Sequence, residues 1–135
     1  MKLILPLSVV LTRGRKEDRS FYLNLNIYRN AHYMILNNAK EKYKELVQAA
    51  IGNLKLSFPP PYQFSYTIYP GSNRKFDLAN PLPIIQKFCD DALIELGVIP
   101  DDSFKIIRGI QYSFGAVDKI NPHCELHITP WKEME

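Results

Sequence analysis

At 135 residues the chain has the size of one domain, read as spanning 1–135, and is long enough to bury a core. A hydrophobic fraction of 46% with 23% charged residues is ordinary for a globular chain, so disorder is not the default, while a formal charge of +3 permits a nucleic-acid partner without demanding one. No stretch reaches the ~20 apolar residues of a membrane span, and Leu3 to Leu11 runs into Arg13 to Arg19 without a small-residue cleavage site, which argues against a signal peptide. The expectation is a soluble, cytoplasmic protein with Cys89 and Cys124 as reduced, buried thiols.

Lys2 to Val10 alternates as a strand, with apolar residues on both faces as in a central strand and Pro6 arguing against that position. Arg13 to Arg19 holds Arg13, Arg15 and Lys16 in a charge cluster that reads as a solvated loop. Leu23 to Asn30 is rich in amides, which make turns with their own backbone. His32 to Leu36 reads as a short strand. Asn37 or Asn38 then caps a helix to about Ile51, with Glu41 near a capping-box position and Gly52 as the stop. After Pro59-Pro60-Pro61, Tyr62, Phe64, Tyr66 and Ile68 alternate with Gln63, Ser65 and Thr67, the clearest strand in the chain.

The next stretch organises the rest. Arg74-Lys75-Phe76-Asp77-Leu78-Ala79-Asn80 leads into a helix predicted from Pro81 to Leu96, capped by Asn80, opened by Pro81 and closed by Gly97. Lys87, Asp91 and Glu95 recur at i, i+4 and i+8 on one face, with Ile85, Phe88, Ala92 and Leu96 on the other. By spacing alone the charged positions read as the solvated face of an amphipathic helix. Beyond Asp101-Asp102, Phe104, Ile106, Ile110 and Tyr112 share a strand face, and Cys124, Leu126 and Ile128 form the last strand across a long loop from Gly115 to Pro122, a hairpin by sequence. The order strand, helix, strand, helix, strand, strand predicts an α+β domain with a small mixed or antiparallel sheet and two main helices.

The residues from Arg74 to Ser103, a basic residue with Asp77-Leu78 and Asn80, then Lys87, then Asp91-Ala92-Leu93, then Gly97 and Asp101-Asp102-Ser103, resemble the RusA family of Holliday-junction resolvases. The resemblance is dense over that stretch and extends more weakly to both ends. It implies a dimeric, Mg2+-dependent endodeoxyribonuclease, with Mn2+ as a substitute, acting on four-way DNA junctions in bacterial or phage DNA processing. Carried over by position, Asp77 and Asp102 become metal ligands, Lys87 the group that stabilises charge at the scissile phosphate, and Asn80 a DNA-binding residue. Arg74 and Lys75 would grip the flanking backbone. Asn26 and Arg29 enter as second-rank site candidates, and Arg13, Arg15 and Lys16 as a DNA-backbone arm. Ala79 stands where the family has a second aspartate, and about four extra residues separate Asn80 from Lys87. The missing ligand must come from elsewhere, with Asp91 the first choice and Asp90 and Asp101 behind it. The alternative is a catalytically weak junction- or DNA-binding protein of the same fold.

His123 and His127 invite a zinc reading, but four strand residues span about 13 Å, and no paired cysteines accompany them. A nuclease of the proposed kind requires Asp77 and Asp102, far apart in sequence, to converge on one pocket.

Overall fold

The computed structural model describes residues 1–14 and 16–133. Among them the chain forms β1 (Lys2–Leu5), β2 (Ser8–Arg13), β3 (Lys16–Tyr22), α1 (Leu25–Asn30), α2 (Tyr33–Ile51), β4 (Tyr62–Tyr69), α3 (Leu82–Glu95), β5 (Ile107–Phe114) and β6 (His123–Pro130). The α+β class stands, with a four-stranded mixed sheet in the order β1-β6-β4-β5 and a separate β2-β3 hairpin. No described helix is long and apolar enough to cross a membrane.

Several elements differ from expectation for local reasons. The predicted Lys2 to Val10 strand is two strands, broken at Pro6: β1 pairs with β6 at one edge of the main sheet, and β2 leaves for the hairpin. Proline cannot donate to a ladder, so the chain changes sheets there. The Arg13 to Arg19 cluster is the hairpin itself rather than a loop, and Arg15 lies outside the described residues. His32 to Leu36 is helical, because His32 caps α2 by accepting from the Met34 N–H at 3.2 Å through Nδ1. Asn37 and Asn38 therefore lie inside α2 and do not cap it. Gly52, at φ 55°, stops the helix as expected.

The β5–β6 hairpin is the main correction. β5 pairs parallel with β4, Tyr66 opposite Tyr112, while β6 pairs antiparallel with β4 on its other side. β4 is thus central, and α3 is the crossover that parallel pairing requires. One sheet face, carrying Leu3, Leu5, Phe64, Tyr66, Leu126 and Ile128, packs under α2 and α3. The other carries Gln63, Ser65, Thr67, His123, Glu125 and His127, the polar halves of the same alternations.

Phe88 of α3 knits the layers together. Its ring lies 6.1 Å from that of Phe21 on β3, 5.7 Å from Tyr43 on α2 and 6.4 Å from Tyr28 on α1. The Tyr43 hydroxyl reaches past it to the Pro6 carbonyl at 3.1 Å, tying α2 to the point where the first strand breaks. Cys89 and Cys124 are buried and free, and burial pushes the Cys124 thiol up to about 12. Phe88→Ala is expected to cost about 3–5 kcal/mol, read as a lower urea midpoint at unchanged m-value. An unaltered midpoint would mean that the four rings do not form one packing unit.

Candidate nucleic-acid interface

Asn80 does not cap α3. That helix starts from Pro81 without a side-chain cap, and the Asn80 Oδ1 accepts instead from the Leu25 N–H at 3.0 Å. The bond fastens the start of α1 to the loop before α3, across 55 residues of sequence. Asn24 caps α1 by accepting from the Ile27 N–H at 2.9 Å. With α1 held there, Asn26 and Arg29 come to line the same open groove as Arg74, Lys75, Asp77 and Asn80, a cavity of about 840 Å3. Six of the residues singled out by sequence therefore meet in one place. Tyr22, Asn24, Phe76 and Ala79 also line it. Asn24 had a sequence signal as the first amide of its run, whereas Tyr22 and Phe76 had none beyond being aromatic.

The other candidates lie elsewhere. Arg13 and Lys16 face each other across the far end of the β2–β3 hairpin. Tyr22, at the near end, is about 20 Å along the strand at ~3.3 Å per residue, so this end of the hairpin backbone is remote from the groove. Lys87 is exposed on α3 and does not line it. Asp91 pairs with Lys40 at 3.7 Å in the cleft between α2 and α3. The other lysine of that helix edge, Lys44, pairs with Glu95 at 3.0 Å. Asp101 turns to its own loop, accepting from the Ser103 N–H at 2.8 Å; hydrogen bonds from the Ser103 side chain and backbone hold its carboxyl below the usual range.

Asp77 and Asp102 do not converge within one chain. Asp77 lies on the loop leaving the C-terminal end of β4, and Asp102 on the loop entering the N-terminal end of β5. Because the strands are parallel, those are opposite ends of the sheet, separated by eight-residue strands of about 26 Å at ~3.3 Å per residue. Among the described residues no three His, Cys, Asp or Glu side chains gather to hold a metal ion. Among the described residues of a single chain, Asp77, Asp91 and Asp102 are not brought together. His123 and His127 do share a face, yet both turn an Nε2 toward the Glu125 carboxylate, at 3.6 and 3.5 Å, together with Lys2 at 3.3 Å.

Asp102 lies closer to a group that sequence ranked low. Asp90 is 3% exposed, under the sheet. The Tyr66 hydroxyl donates to its Oδ1 at 3.4 Å and the Gln86 amide to its Oδ2 at 3.3 Å, while Tyr112 donates to Gln86 Oε1. Burial, opposed by the Gln86 and Tyr66 hydrogen bonds and aided by the charges of Asp102 and Asp91, leaves the Asp90 carboxyl raised to about 7. No protein-family model matches this chain, and no curated protein matches it.

A pH prediction follows from Asp90. Over about pH 4 to 7 the native state holds a proton that the unfolded chain has released, so stability falls as pH rises through that window and levels off above it. The loss is at most about 4 kcal/mol. Urea unfolding of wild type should show this decline and Asp90→Asn should lack it; identical profiles would remove Asp90 as the titrating group.

Proposed function

We propose that this chain binds branched DNA through the Asn26, Arg29, Arg74, Lys75, Asp77 and Asn80 groove and acts as a RusA-type endodeoxyribonuclease on four-way junctions. The observation that carries the reading is the meeting, in one groove, of cations and amides from two segments nearly fifty residues apart. Three cations beside three asparagine side chains suit a phosphodiester backbone, which takes charge neutralisation from arginine and lysine and hydrogen bonds from amides. Ordinary surface solvation does not explain why Asn80 gives up its capping position to hold α1 against this loop.

Hydrolysis makes a further demand. Mg2+ would supply an activated water and charge neutralisation at the phosphate, with Mn2+ as its substitute, but the acids of one chain do not fit such a site. Asp77 and Asp102 can serve one ion only when Asp77 of one copy meets Asp102 of another. The cutting form is accordingly a homodimer, in which a twofold axis repeats the site on the symmetric strands of a junction. The setting proposed is bacterial or phage DNA processing in the cytoplasm.

The separation of Asp77 from Asp102, with Ala79 beside Asp77 in the groove, favours a second reading: a protein that holds junctions without cutting them. Tight junction binding by wild type with no Mg2+-dependent nicking, and nicking gained in Ala79→Asp, would select it.

Under the nuclease reading, wild type nicks a synthetic four-way junction in Mg2+, while Asp77→Asn and Asp102→Asn are each inactive. Mixing the two inactive variants restores part of the activity, because mixed dimers keep one intact pair. Cleavage that survives both substitutions, or proceeds without a divalent ion, sinks the mechanism. Arg74→Ala should weaken junction and duplex binding alike and reduce the slope of log affinity against log salt by about 1. An unchanged slope would remove Arg74 from the phosphate contacts.

A further inference from the structure

The cationic groove opens sideways into a second, smaller cavity of about 210 Å3. Tyr22, Phe76 and Asn80 line both. The smaller one is floored by Leu23 and Ile68, each 2% exposed, with Leu7 beside them. Its two aromatic walls are open to solvent, Tyr22 at 57% and Phe76 at 37%. An apolar slot with exposed rings, adjoining the groove that carries Arg29, Arg74 and Lys75, suits a ligand that is flat and apolar at one end and anionic at the other. A nucleotide has that form: every base presents a π-face for stacking, and its phosphates follow directly. The neighbouring amides are preset, because Asn24 and Asn80 each commit Oδ1 to a backbone N–H. That leaves Nδ2 as the donor, matched to a carbonyl on a base edge.

We propose that this slot receives one unpaired nucleobase, stacked on Tyr22 and Phe76, while Arg29, Arg74 and Lys75 bind its flanking phosphates. The proposal rests on the DNA-binding reading above and narrows it: the protein engages a branch point through a base that has left the helical stack. A nucleotide at a branch has less stacking to give up than one inside a duplex, so the slot favours junctions over linear DNA.

Two single-stranded probes separate base from backbone. One is a thymidine oligomer of about 10 nucleotides; the other is an abasic chain of the same length and phosphate count. By fluorescence anisotropy, wild type should bind the thymidine oligomer roughly tenfold more tightly. Tyr22→Ala and Phe76→Ala should lose that preference while keeping their affinity for the abasic chain. Tyr22→Phe and Phe76→Tyr, which keep a ring, should retain it. Arg74→Ala should weaken both probes together. Equal binding of the two probes by wild type, or a preference that survives both alanine variants, overturns the base slot and leaves the groove as a phosphate site. Failure to bind either probe or a four-way junction in a salt-sensitive way overturns the DNA-binding reading itself.

Discussion

Parallel pairing of β4 with β5 is the constraint from which the rest of this structure follows. Two parallel neighbours cannot be joined by a turn, so the chain must climb back over the sheet, and α3 is that return. Its apolar side, with Leu82, Ile85, Phe88, Cys89 and Leu93, is buried against β4 and α2. The two connecting loops then have no choice of position. Residues 70–81 leave one end of the sheet and 96–106 return at the other, which is why two aspartates flanking one helix end up facing different surroundings.

Those surroundings are chemically unlike. Asp77 sits among Arg74, Lys75 and Arg29 in an open groove assembled by the Asn80 to Leu25 bond. Asp102 is exposed on a loop pinned to the sheet, where the Ile106 carbonyl accepts from the Tyr62 N–H at 2.7 Å, and its charge reaches the buried Asp90. The first end gathers cations, whereas at the second Asp101 and Asp102 stand beside Lys105 and Arg108.

The sequence made β4, α3 and most of α2 legible and left the strand pairing hidden. Tyr62 to Ile68 alternates because its two faces meet different environments, and α3 announces itself through Pro81, an apolar stripe and Gly97, at φ 75°. Partner choice has no such local record. Two late strands joined by a loop look like a hairpin, and only the central position of β4 separates β5 from β6. Short polar side chains misled for a related reason. Asn80, Asn37 and His32 each carry a cap-competent acceptor, but which N–H takes it depends on what the fold brings near: for Asn80 that is Leu25, and for His32 it is Met34. The groove's cations and amides were visible as residue types, whereas Tyr22 became a wall of the site only when β3 placed it there.

The buried polar set under the sheet explains how α3 keeps its place. Gln86 and Asp90 are one helical turn apart, and Tyr66 and Tyr112 face each other across neighbouring strands. Each pair is joined to the other: Tyr112 with Gln86, Gln86 with Asp90, and Asp90 with Tyr66. Phe88, Ile85 and Ala92 would remain largely buried if the helix slid by a turn, because apolar contact tolerates exchange of one aliphatic or aromatic neighbour for another. The polar set does not tolerate it. After such a slide Gln86 would stand near Tyr66, and Asp90 would lie buried without a hydroxyl donor, at a cost of about 1–3 kcal/mol or more for the unsatisfied carboxyl. Register is thereby held by directional bonds where packing alone is indifferent. The same register sets how far the 70–81 loop extends, and so where Arg74 and Lys75 stand relative to α1.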